Sequence, residues 1–299
     1  MSAKGSRTVT TPDGAALWCE LSGTGEHAVV LADGLGCDGF IWKYLKPALE
    51  PRYQVLRFNY RGHGQSGLPR DPARLSIAHF ADDLAQIMDE LEVPRAAVFG
   101  HSMGAQVIFE FHKRHPERVQ ALAPICGSYG NVLDTWHDDD ALKRAFPMLR
   151  EVVERFPGFT RKIWTRVLPT QLSVFIGRHL EAQAEFLTRE DFWPYLRHLA
   201  DMDPLAFVRT LDVASRHSAW SHLQEIDVPT LIVAAEKDRF TPVWLSERMH
   251  ARIRGSELVV VPRASHCAPL EMPHLVELVV ERFLAEKVFA ERAPVTSRA

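Results

Sequence analysis

The sequence lacks any apolar run near the roughly 20 residues that a bilayer-spanning helix needs. Its opening residues, Met1-Ser2-Ala3-Lys4-Gly5-Ser6-Arg7-Thr8, carry no apolar core of the secretory-signal kind before the polar turn at Pro12-Asp13-Gly14. Cysteine is scarce: Cys19, Cys37, Cys126 and Cys267 lie far apart and form no C-x-x-C pair. That argues against a disulfide framework and a thiolate metal site, and points to reduced thiols in a cytoplasmic protein. Charge of one sign is also missing. With 35 basic and 38 acidic residues the formal net charge is -3, so no strong field favours nucleic acid or an anionic membrane surface as a partner. Neither a repeat nor a low-complexity tract is present. What remains is a 299-residue chain with 46% apolar residues, enough for one large domain or a domain with a subdomain.

Short apolar runs alternate with helix-period segments through the first half, the pattern of a mostly parallel sheet flanked by helices. Strands are expected over residues 7–11, 16–21, 27–32, 54–59, 96–100 and 119–125, and helices over 40–49, 77–91 and 103–114. Ser76 is a fitting N-cap for the second helix, and Pro94 is expected to stop it. After Gly127 the alternation breaks. Residues 129–220 show helical stretches rich in Phe and Trp, among them Phe146, Phe156, Phe159, Trp164, Phe175, Phe186, Phe192, Trp193 and Phe207, but no convincing strand. Strand grammar returns at 229–235 and 257–261, with helices at 243–253 and 274–287, the last opened by Pro273. The chain therefore divides into a core at 1–128, a helical insertion at 129–221, the rest of the core at 222–289 and a polar, frayed tail at 290–299.

Gly100-His101-Ser102-Met103-Gly104 is a G-x-S-x-G motif. Alone, so short a pattern is weak. Here it follows an expected buried strand and opens an expected helix, as a nucleophilic serine on a tight strand-to-helix turn requires. A serine hydroxyl needs a base at neutral pH, and the base needs an orienting acid. In this architecture the acid and then the histidine follow late strands. Asp238 lies just beyond the strand at 229–235, and His266 just beyond that at 257–261. All three candidates sit at carboxyl ends of strands, where open α/β sheets bind ligands. Glu236 and Asp134 are alternative acids; His101, His112, His115, His217, His222 and His250 are alternative bases or structural residues. Acyl transfer also needs oxyanion donors. The backbone N–H of Met103 is one, and the loop Leu31-Ala32-Asp33-Gly34-Leu35-Gly36-Cys37-Asp38 should supply the other, from Leu35.

Together the elbow, that loop, the segment Asn59-Tyr60-Arg61-Gly62-His63-Gly64-Gln65-Ser66 and the order Ser102, Asp238, His266 resemble the α/β-hydrolase superfamily over about residues 7–287. The resemblance implies an α/β-hydrolase fold, with helices on both faces of the sheet and the insertion serving as a cap over the active site. Two positions depart from the family pattern. Asp33 replaces the usual histidine before the oxyanion glycine, and Asn59 stands where aspartate is common. Asp33 is expected to point away from the oxyanion hole and accept backbone N–H bonds. Relatives that are epoxide hydrolases or haloalkane dehalogenases carry aspartate at the elbow, so Ser102 argues against both. Esterases, lactonases, carbon–carbon bond hydrolases and cofactor-free haloperoxidases share the serine triad.

The expected activity is hydrolysis of a carboxylic ester of a small to medium apolar molecule, without metal or cofactor. Alternatives are lactone or carbon–carbon bond cleavage by the same residues, or ligand binding without catalysis. Asp138-Asp139-Asp140 after His137 reads as a solvated loop or helix start rather than a metal site.

Overall fold

The computed structural model describes residues 5–130, 141–170 and 187–290. Phe175, Phe186, Asp134, the run at 138–140 and nearly all of the tail at 290–299 lie outside them. Eight strands form one sheet: β1 (Gly5–Thr10), β2 (Ala16–Gly23), β3 (Ala28–Ala32), β4 (Gln54–Phe58), β5 (Ala96–His101), β6 (Val119–Ile125), β7 (Leu231–Ala235) and β8 (Glu257–Val261). Their spatial order is β1-β2-β4-β3-β5-β6-β7-β8. β1 pairs antiparallel with β2 and β2 with β4; every later neighbour is parallel.

β3 and β5 lie in the middle of the sheet, and each is buried along its whole length. Because successive side chains point to opposite faces, such strands need apolar cover on both sides. Val30, Ala32 and Val98 face a core with helices α2 (Ile77–Glu90) and α3 (Met103–Arg114). Val29, Leu31 and Phe99 face the opposite core with α1 (Leu45–Leu49) and the C-terminal helix (Pro273–Phe283).

Helix ends follow local chemistry, with two departures from expectation. Residues 40–49 do not form one helix. A 3-10 turn at Phe40–Trp42 precedes α1, which puts Pro47 in the first turn of a new helix, where its missing N–H costs nothing. α2 starts as expected, with the Ser76 hydroxyl accepting from the His79 N–H. It stops before Pro94 is reached: Glu92 adopts a φ of 55°, turning the chain out of the helix.

Between β6 and β7 the described chain is helical: α4 (Ala141–Arg155), α5 (Pro157–Val167), α6 (Arg189–Asp201) and α7 (Pro204–Arg216). Phe146 and Val153 of α4 pack on Val208 and Leu211 of α7. Lys43 and Tyr44 of the core both bond to Asp191 of α6, at 2.5 and 3.0 Å. Two of the aromatics face solvent: Phe156 is 52% exposed and Phe159 63%. No helix among the described residues is long and apolar enough to cross a membrane.

Candidate active site

β5 runs directly into Ser102, whose backbone has φ 55° and ψ -119°. Only a residue held by its surroundings stays in such a region. The surroundings are tight: a Cβ on Gly100 would stand 2.3 Å from the Gly104 carbonyl oxygen, and one on Gly104 would stand 2.4 Å from that of Ala32. Both glycines let the turn close between strand and helix, and α3 begins at the next residue, Met103.

Two further loops meet the elbow. β7 ends at Ala235, and the Asp238 N–H returns to the Ala235 carbonyl at 3.1 Å. The Lys237 N–H donates to Ala264 at 2.8 Å, joining this loop to the one after β8. His266 then reaches both partners. Its Nδ1 is 2.9 Å from Asp238 Oδ2, and its Nε2 is 2.9 Å from Ser102 Oγ.

Asp238 is buried, which opposes its ionisation. The His266 charge and hydrogen bond, with bonds from Thr241, outweigh that and hold the carboxyl below its ordinary pKa. Its Oδ1 accepts the Phe240 and Thr241 N–H groups, both at 2.8 Å, and its Oδ2 accepts the Thr241 hydroxyl at 2.7 Å. The loop before His266 is held likewise: buried Glu271 accepts the Ser265 N–H at 2.5 Å and its hydroxyl at 2.6 Å. Sequence reasoning passed over both Thr241 and Glu271. The Asp-x-x-Thr spacing was a signal for the first, since a carboxylate readily accepts N–H groups two or three residues on.

The competing residues stand elsewhere. Exposed Glu236 accepts the Arg263 N–H. His112 pairs with His222 at 2.9 Å, His115 with Asp82 at 3.1 Å, His217 with Glu110 at 3.3 Å and His250 with Ser256 at 2.9 Å. Among the described residues no three His, Cys, Asp or Glu side chains are arranged to hold a metal ion.

The loop after β3 corrects one expectation. Asp33 does not accept backbone N–H bonds: its carboxyl is buried and neither oxygen has a partner in hydrogen-bonding geometry. Burial pushes its pKa up to about 7, against a smaller downward pull from Arg57. Asn59, the other departure, accepts the Gln65 N–H at 3.1 Å and so holds the turn after β4. The Arg-Gly-His-Gly loop is anchored by Arg61, which binds Asp83 through two bonds of 2.6 and 2.5 Å and also meets Asp13.

A cavity of about 190 Å³ opens on Ser102 and His266, with Leu35, Met103, Phe192, Leu199 and Phe207 in its wall. A larger cavity of about 640 Å³, lined by Asp38, Arg57, Arg197 and His198, includes none of Ser102, Asp238 and His266. α6 contributes to both: Phe192, Tyr195 and Leu199 face the first, while Pro194, His198 and Asp201 face the second.

Comparison with known proteins agrees with this architecture. A Bacillus subtilis protein, named as a 2-succinyl-6-hydroxy-2,4-cyclohexadiene-1-carboxylate synthase, is 26% identical over 86% of this chain and 90% of its own. A pimeloyl-[acyl-carrier protein] methyl ester esterase of Neisseria meningitidis is 30% identical over 80% of this chain and 85% of its own. Among solved structures, the enol-lactonase from Burkholderia xenovorans superposes with a TM-score of 0.75, at 21% identity, over 94% of this chain and 100% of that one. The family model for the alpha/beta hydrolase fold matches residues 27–273. The chain belongs to the α/β-hydrolase family.

Proposed function

We propose that this protein hydrolyses a carboxylic ester of a small to medium apolar substrate through an acyl-enzyme on Ser102. The observation that carries the reading is the imidazole of His266, 2.9 Å from a hydroxyl on one side and 2.9 Å from a buried carboxylate on the other. His266 Nε2 takes the proton of Ser102 as Oγ attacks the ester carbonyl, while Asp238 accepts from Nδ1–H, selects the tautomer and balances the imidazolium. The same proton passes to the departing alcohol. Water then attacks the acyl group, His266 takes its proton, and the acid leaves as Ser102 is restored. The backbone N–H of Met103 has no acceptor within α3 because it opens the helix. With the Leu35 N–H it stabilises the oxyanion of each tetrahedral intermediate.

Cavity size and lining support a small apolar acyl or alcohol group. The roughly 300–1,000 Å³ of drug-sized sites exceeds the 190 Å³ found beside Ser102. Helices α6 and α7 supply much of the apolar wall, so the insertion acts as a cap over the serine. A p-nitrophenyl ester series tests the reading: turnover should be highest for short to medium acyl chains and vanish in Ser102→Ala. Fastest turnover on the longest chains would contradict the small covered site.

A further inference from the structure

His101 is the variable residue of the G-x-S-x-G motif, and nothing in the proposed chemistry uses it. It is nevertheless buried where three loops meet. Its Nε2 lies 2.9 Å from the main-chain oxygen of His266. Its ring stands 5.0 Å from the His266 ring and meets the Trp42 indole edge-on at 6.2 Å. On the oxyanion side, its Nδ1 would lie 3.2 Å from a Cβ placed on Gly34, whose other neighbours there are the Cβ of Ser102 at 3.1 Å and Cys37 Sγ at 3.4 Å.

A carbonyl oxygen can only accept, so Nε2 carries the proton and Nδ1 is bare. That agrees with Nδ1 having no partner. Burial, then the neighbouring His266 charge, pushes the His101 pKa down to about 3. The ring therefore stays neutral and keeps this single donor throughout the range in which His266 must shuttle protons.

We propose that His101 is a positioning residue: its Nε2–H holds the main chain of His266 so that the catalytic imidazole keeps its place between Ser102 and Asp238. The motif thus links the nucleophile to its base by a second route, through backbone as well as through the hydroxyl–imidazole bond. This role rests on the hydrolase reading above. A base displaced by about 1 Å loses on the order of 100-fold in rate, so one main-chain bond at this point has leverage.

The test compares His101→Gln, whose side-chain amide keeps a donor at similar reach, with His101→Met, of similar length and flexibility without one. Initial rates on a p-nitrophenyl ester give kcat and KM, and a fluorophosphonate gives the rate of Ser102 labelling. His101→Met should lower kcat and labelling by roughly 10- to 100-fold with little change in KM, and His101→Gln should recover to within about fivefold of wild type. Should His101→Met fail to fold, His101→Phe, planar and without a donor, takes its place. Full activity in the donor-less variant, or equal loss in the Gln variant, would overturn the role. Failure of the wild-type protein itself to label would instead remove the hydrolase reading on which the role stands.

Discussion

His266 Nε2 lies 2.9 Å from Ser102 Oγ although 164 residues separate them in the chain. The contact exists because β5 and β8 deliver their loops to the same edge of one mostly parallel sheet, with β6 and β7 between them. Parallel strands put all their carboxyl ends on one side, and that geometry gathers remote residues into a site.

Replacing Asp238 with Asn should leave the loop standing, because the side-chain carbonyl can still accept from Phe240 and Thr241. It should lower kcat by roughly 10⁴-fold, since the amide favours the wrong imidazole tautomer. Steady-state kinetics beside a thermal melt separates the two effects. A loss below about tenfold would move the orienting role to another acid.

Asp33 should make stability fall with rising pH. Its folded pKa of about 7 lies above the ordinary 3.8. Below about pH 4 the carboxyl is neutral folded and unfolded, and costs nothing. Between about 4 and 7 the unfolded chain releases the proton while the folded chain retains it, so stability declines; above about 7 the penalty is constant. Asp33→Asn should remove this dependence. Its melting temperature should exceed wild type at pH 8 by roughly 5 °C or more, and the two should converge near pH 4. Parallel melting curves across that range would show that Asp33 is not a destabilising buried acid.

Arg61 should be a stability residue. Its guanidinium is buried and bonded twice to buried Asp83. Arg61→Ala leaves that carboxylate without its partner, and should cost about 3–5 kcal/mol in denaturant unfolding. Asp83→Asn together with Arg61→Met should restore part of the loss, because an uncharged pair leaves no buried ion behind. A single-variant loss under about 1 kcal/mol would mean that water reaches the pair.

The strands, and the placing of Ser102, Asp238 and His266 just after three of them, are legible because each depends on a short local pattern: an apolar run and the turn that follows it. The break in the first helix was present in the sequence too, in Pro47, but the apolar spacing across 40–49 masked it. Other features depend on what folds against them from far away. Nothing near Asp33 announces that its carboxyl is buried beside the Trp42 indole with no bond from the backbone. The outward turn of Phe156 and Phe159 is set by which helix faces meet α6 and α7. Glu271 was hidden differently: it lies ahead of the helix that Pro273 announces, and only the fold shows it accepting from Ser265 beside His266.

The most direct measurement is covalent labelling of the folded protein with a fluorophosphonate at neutral pH, with the modified peptide located by mass spectrometry. One phosphonyl group on Ser102, prevented by His266→Ala and slowed by Asp238→Asn, is the predicted result. A folded sample that takes up no label, or takes it up on a residue other than Ser102, would contradict the account.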